Sequence, residues 1–203
     1  MSQRQITELC QHKGKCWKMI LDEDETYFLH CEIVFEYSLK KGLTMPQSAI
    51  SEILHSSEVR RARERALYLL DMKDYSYAQM LKKLEENYSE DTCFEVMDIL
   101  VDLGVINDIN YAKNLAERLV MGKKRGFYRA KQEMKQKGLS DDVILEALSD
   151  YNNVYEDNLR EIINYKYAHN LDDEKGFEKV KAALVRQGYS YEQINSVLQE
   201  YEN

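Results

Sequence analysis

Three segments of this chain carry one helical pattern at a fixed interval, and that interval limits the folds open to it. The segments are Ala78-Gln79-Met80-Leu81-Lys82-Lys83-Leu84, Ala130-Lys131-Gln132-Glu133-Met134 and Lys181-Ala182-Ala183-Leu184. Their apolar anchors Leu84, Met134 and Leu184 stand 50 residues apart. Each basic amphipathic helix runs into a turn residue (Asn87, Gly138, Gly188), and a new helix starts at Ser89, Ser140 or Ser190. Asn and Gly tolerate the left-handed backbone that such a turn requires. A period of this size marks stacked helical modules, each too small to bury a core alone.

Breakers are scarce, which favours helix: one proline, Pro46, and 8 glycines in 203 residues. Glu32 to Lys40 reads as a helix stopped at Gly42. Thr44 reads as the cap of another, with Pro46 in its first turn and Gln47 completing a capping box. A further helix starts near Glu58. Capping signals then recur at Ser76 with Gln79, at Asp108 and at Ser140, while Gly122 and Gly126 bracket a basic loop. The first thirty residues differ. Trp17, Met19 and Leu21 alternate with Lys18 and Ile20, then come polar Asp22 to Glu25 and the β-prone Thr26 to Leu29. This predicts a hairpin, with Ile6 to Leu9 as a third strand. Asn-Gly and Asp-Gly are absent, so the turn is expected to be long.

The expected fold is all-α: tandem three-helix modules in an elongated, curved array, with a small N-terminal β-hairpin and helix segment. The divisions fall at 1–55, 56–106, 107–152 and 153–203. No run is apolar enough to span a bilayer, and no apolar run follows Met1. The chain is therefore expected to be soluble and cytoplasmic, with no membrane partner. Cys10, Cys16, Cys31 and Cys93 form no C-x-x-C pair and read as reduced thiols. Cys10, His12, Cys16, His30 and Cys31 cluster in sequence, but their spacing matches no familiar zinc motif, so no metal site is assigned.

The net charge is −8, yet its distribution is uneven. Residues 109–152 hold 9 Lys/Arg against 6 Asp/Glu; the three flanking segments are all net negative. One basic module in an acidic chain is a candidate site for phosphate or for an acidic protein face. Its cations are Lys123, Lys124, Arg125, Arg129, Lys131, Lys135 and Lys137. Glu133, Asp141 and Asp142 lie close enough in sequence to balance some of them. Arg60, Arg61, Arg63 and Arg65 form a second run, suited to phosphate or to carboxylates such as Glu58, Glu64 or Asp71. The tyrosines near helix ends (75, 77, 128, 151, 155, 165, 167, 189 and 191) read mostly as seals between modules. There is no glycine-rich phosphate loop, no H-E-x-x-H and no G-x-S-x-G, so catalytic residues and cofactors are not expected.

These residues resemble the RecX family of bacterial regulators of the RecA recombinase. Tyr111-Ala112, Gly126, Arg129, Glu133-Met134 and Lys135 to Leu139 are similar to the family's central pattern. Ala66 to Leu70 with Tyr75-Ser76 resembles the opening of its first module. Leu39 to Leu43 resembles the N-terminal segment of its longer members. The resemblance implies an all-α protein of tandem three-helix modules; the chain is expected to act as a monomer. It also implies binding to RecA in the groove of the RecA–DNA filament, which restrains recombinase and ATPase activity. A basic loop and helix face suit that groove. The alternative is a helical module that binds nucleic acid directly, without RecA.

Overall fold

The computed structural model describes residues 3–171 and 174–201. They divide into two compact units, Met1–Asp74 with Met80–Val105, and Tyr75–Gln79 with Ile106–Asn203.

The first unit joins a four-stranded antiparallel sheet to helices. Its strands are β1 (Gln3–Lys13), β2 (Cys16–Leu21), β3 (Glu25–His30) and β4 (Thr44–Pro46), in the order β3-β2-β1-β4. The alternation read in β2 holds: Met19 and Leu21 are fully buried and join Ile6, Leu29, Ile50 and Ile53 in one core. The β2–β3 turn is tighter than expected. Asp22 and Glu23 both take positive φ (52° and 72°), and the Asp24 amide donates to the Leu21 carbonyl at 3.1 Å. That conformation normally calls for Asn or Gly. Here β1 holds it: Arg4 Nε and the Gln5 amide donate to the Asp22 carboxylate at 2.6 and 2.8 Å.

Two expected helix boundaries shift. Helix α1 (Cys31–Glu36) stops at a left-handed Ser38, φ 49°, with the Leu39 amide bonded to the Val34 carbonyl; it does not reach Lys40. Thr44 is not a helix cap. It pairs with Gln5, and Pro46 pairs with Gln3 at the sheet edge, where a missing N–H is tolerated. Helix α2 then runs unbroken from Gln47 to Met72, so one helix stands where two were expected. Helix α3 (Tyr77–Glu85) spans the division between units, and α4 (Glu90–Asp102) packs on α2. Ser89 precedes α4 but gives its hydroxyl to Glu58 of α2.

The second unit holds α5 (Asp108–Glu117), α6 (Phe127–Lys135), α7 (Asp141–Ser149), α8 (Tyr155–Ile162), α9 (Glu174–Arg186) and α10 (Tyr191–Leu198). The anchors Met134 and Leu184 are fully buried in its core, as Leu84 is in the first unit. Ser190 and Gln193 form a capping box at α10, and Ser140 caps α7. Asn107, not Asp108, caps α5; the Asp108 carboxylate instead accepts from the Tyr77 amide at 2.8 Å. Both α5 and α8 end in a wider π-helical turn, at Arg118–Gly122 and Ile163–Tyr167. The Val120 carbonyl of the first such turn accepts from the buried Asn158 amide at 3.0 Å.

The 50-residue period reappears as a contact made twice in this unit. The Gly126 amide donates to the Gln187 carbonyl, and the Tyr128 amide to the Gly188 carbonyl, both at 3.0 Å. One period earlier, the Ser76 hydroxyl donates to the Lys137 carbonyl, and Gly138 lies against Ala78. In both places the turn that ends one module's middle helix sits on the start of the preceding module's middle helix. Gly188 has φ +93°, and a Cβ there would fall on the backbone nitrogen of Arg129. A Cβ on Gly126 would strike Gly188 in the same way. Two glycines are needed because backbone meets backbone.

Candidate functional site

The basic surface of the second unit is built around the Lys123–Gly126 connection. The π-helical turn ends at Gly122, and Lys123 and Arg125 are then fixed by backbone bonds to Arg118 and Leu119 at 3.0 and 2.9 Å. Between them Lys124 takes φ +50°, a left-handed conformation that a side chain disfavours. Its carbonyl accepts the buried Tyr189 hydroxyl at 2.8 Å, which ties the loop to the junction described above. Burial raises the Tyr189 phenol well above its ordinary value, so it stays a neutral donor. Tyr155, edge-on to it, is pushed up to about 12 by burial.

The seven cations do not form one cluster. Glu133 gathers Arg129 at 3.1 Å, Arg125 at 3.4 Å and Lys123 at 4.0 Å. Asp141, in the first turn of α7, takes Lys131 at 3.0 Å and Lys135 at 2.9 Å. The hydrogen bonds from Lys135 and then Lys131 hold its carboxyl below the usual value. Lys124 pairs with Glu161 of α8. Lys137 is half-buried and makes no ion pair among the described residues; its carbonyl serves the Ser76 junction. Three carboxylates thus face six of the seven cations, and the surface keeps a positive excess. Asp142, read as a balancing charge, forms no such pair among the described residues, while Glu161 does so unforeseen from the sequence.

Folding adds residues that the sequence reading missed. A cavity of about 320 Å³ opens beside the loop. Lys123, Lys124 and Glu161 line it together with Tyr165, Lys166 and Gln187. Tyr165 is 86% exposed. It is not a seal between modules, and neither are Tyr128 and Tyr191, whereas Tyr75, Tyr155 and Tyr189 are buried. Both π-helical turns reach this cavity, through Gly122 and through Tyr165 with Lys166. The pairing of Tyr with Lys at the end of α8 was a usable signal, but some forty residues separate it from Lys123.

The arginine run of α2 splits in the same way. Arg60 pairs with Glu32, and Arg65 lies over the Tyr68 ring at 5.6 Å. Glu64 is taken by Lys15 at 2.6 Å and faces His30 Nε2 at 3.3 Å. Glu58 is held by Ser89 and Thr92. Among the described residues no three His, Cys, Asp or Glu side chains gather in a metal-binding arrangement, and Cys10, Cys16, Cys31 and Cys93 are free thiols. No helix among them is long and apolar enough to cross a membrane.

Comparison with known proteins now bears on this surface. The family model for the RecX second three-helix domain matches residues 107–148, the stretch that carries the basic loop and α6. A regulatory protein RecX of Clostridioides difficile (strain 630) is 27% identical over 98% of this chain and 96% of its own length. The chain is similar to RecX proteins along nearly its whole length. A RecX of Streptococcus sanguinis (strain SK36) is 25% identical, covering 97% of this chain and 77% of its own. A crystal structure of a regulatory protein RecX superposes with a TM-score of 0.75 over 97% of this chain and 99% of that one; at 19% identity this is a likeness of fold. RecX from Lactobacillus salivarius gives 0.65 at 26% identity, over 71% of this chain and 97% of its own. The RecX relatives are regulatory proteins by name.

Proposed function

We propose that this chain binds RecA and the RecA–DNA filament and restrains recombinase and ATPase activity during DNA repair and homologous recombination. It would act in the bacterial cytoplasm, as a monomer and without chemistry of its own. The proposal keeps the four-part division at residues 55/56, 106/107 and 152/153, with the modules in an elongated, curved array. Such an array would contact successive filament subunits, and several weak contacts would add up to useful avidity. The observation that carries the reading is the basic surface on Lys123, Lys124, Arg125, Arg129, Lys131, Lys135 and Lys137. Six of these cations are held by Glu133, Asp141 and Glu161 in fixed positions, ready to exchange onto phosphates or acidic side chains of the groove. Arg60, Arg61, Arg63 and Arg65 form a secondary candidate.

The test is co-sedimentation with preassembled RecA filaments, with naked single-stranded DNA as the control. Retention on filaments at a concentration that leaves naked DNA unbound supports the proposal. Equal binding to both defeats it. A second reading, direct nucleic-acid binding, is favoured by one feature. The cavity bearing Lys123, Lys124 and Lys166 also carries the exposed Tyr165, and a tyrosine beside phosphate-binding lysines suits a stacked base. That reading requires RecA-independent binding with a steep salt dependence.

A further inference from the structure

The sheet of the first unit has two edges, and they are treated differently. The β4 edge is three residues long and ends in Pro46, two devices that stop further strands from adding. The β3 edge is six residues long, and its central Thr26-Tyr27-Phe28-Leu29 has no proline, no lysine and no bulge. Residues of β3 alternate between β2 and the outside. The Cys31 amide donates to the Lys15 carbonyl, which sets odd-numbered backbone groups toward β2 and even-numbered ones outward. The outward amide of His30 is met by the Ser57 hydroxyl of α2 at 2.9 Å. The outward N–H and C=O groups of Thr26 and Phe28 make no hydrogen bond with any described residue. A buried edge left this way would be costly, but a groove of about 420 Å³ runs along it. Thr26 to Phe28 form one wall, and Leu54, His55, Glu58 and Arg61 of α2 form the other.

We propose that this groove takes up an extended, carboxylate-bearing segment of a partner protein as an added strand on β3. Backbone bonding to Thr26 and Phe28 supplies the register, as in other strand-addition sites. Leu54 and the half-exposed Phe28 offer the apolar contacts. Charge decides the partner's chemistry. His55 is engaged with Glu95 at 2.7 Å, and the Glu58 carboxylate is bonded to Ser89 and Thr92. Arg61 is exposed and makes no ion pair among the described residues; its charge acts on Glu58, whose carboxylate Ser89 and Thr92 already hold, so its guanidinium donors stay open to an incoming carboxylate. The site lies in the first unit and does not depend on the basic surface of the second.

The experiment pans a displayed random 12-residue peptide library on the full chain, with Phe28→Pro and Arg61→Glu in parallel. Phe28→Pro removes one outward donor at an edge position where proline is tolerated. Circular dichroism and urea unfolding confirm that each variant is folded; Arg61→Glu, on an exposed helix face, is the second variant should Phe28→Pro not fold. The wild type should enrich β-prone peptides carrying Asp or Glu. Synthetic versions should bind at least ten-fold more weakly to Phe28→Pro, lose their acidic preference on Arg61→Glu, and slow amide exchange at Thr26 and Phe28. No enrichment over the variants, or enriched peptides that bind both variants as well as the wild type, overturns the proposal.

Discussion

Replacing Gly188 by alanine tests whether backbone-to-backbone docking holds the second unit together. The substitution carries two costs. A side chain at φ +93° loses roughly 1–2 kcal/mol against glycine. Its Cβ would also fall on the Arg129 nitrogen, so the turn must withdraw and the Gly126–Gln187 and Tyr128–Gly188 bonds lengthen or break. At about 1 kcal/mol for each such bond, the total is about 3–4 kcal/mol. For a chain of this size that lowers the melting temperature by about 6–16 °C. Gly104→Ala is the control: φ is +68°, but nothing lies near its Cβ position, so only the conformational cost of about 1–2 kcal/mol remains. Gly122, with open space and an ordinary φ, should tolerate alanine within about 0.5 kcal/mol. Urea unfolding measures all three, and amide exchange at Gly126 and Tyr128 reports the junction directly. If Gly188→Ala matches Gly104→Ala in stability and leaves those amides protected, the close approach has no energetic consequence and the reasoning fails.

Two further outcomes follow from the charge arrangement. Glu133→Gln frees Lys123, Arg125 and Arg129 from their shared carboxylate. Filament affinity should rise several-fold with a steeper salt dependence, while stability changes by less than about 1 kcal/mol; weaker binding would contradict the role given to these cations. His30 is 3% exposed, and burial lowers its pKa below the ordinary 6.5 despite Glu64 nearby. A histidine kept neutral in the fold takes up its proton more readily when unfolded. Stability of the first unit should therefore be full above pH 6.5, decline as pH falls below it, and level off below the folded pKa. His30→Gln should flatten that slope in urea midpoints; an unchanged slope would assign it elsewhere.

The helical frame was legible because its signals are local. Leu84, Met134 and Leu184 are all fully buried, and a helix starts at Ser190 as the serine there predicts. Errors arose where a distant partner outbid local chemistry. Thr44 has the sequence of a cap, but pairing with Gln5 holds it in a strand. Asp22-Glu23 lacks a tight-turn signature, but Arg4, eighteen residues away, fixes it. The candidate surface was legible only as a run of cations. Its division by Glu133, Asp141 and Glu161, and the meeting of Lys166 with Lys123, depend on packing between helices that no periodicity encodes.

The most direct test of the functional account is DNA-dependent ATP hydrolysis by a RecA protein, titrated with this chain and with a Lys123→Glu, Lys124→Glu, Arg125→Glu variant. The account predicts inhibition by the wild type at concentrations where naked single-stranded DNA stays unbound, and at least a ten-fold higher requirement for the folded variant. Unchanged hydrolysis with the wild type, or equal inhibition by both, would contradict it.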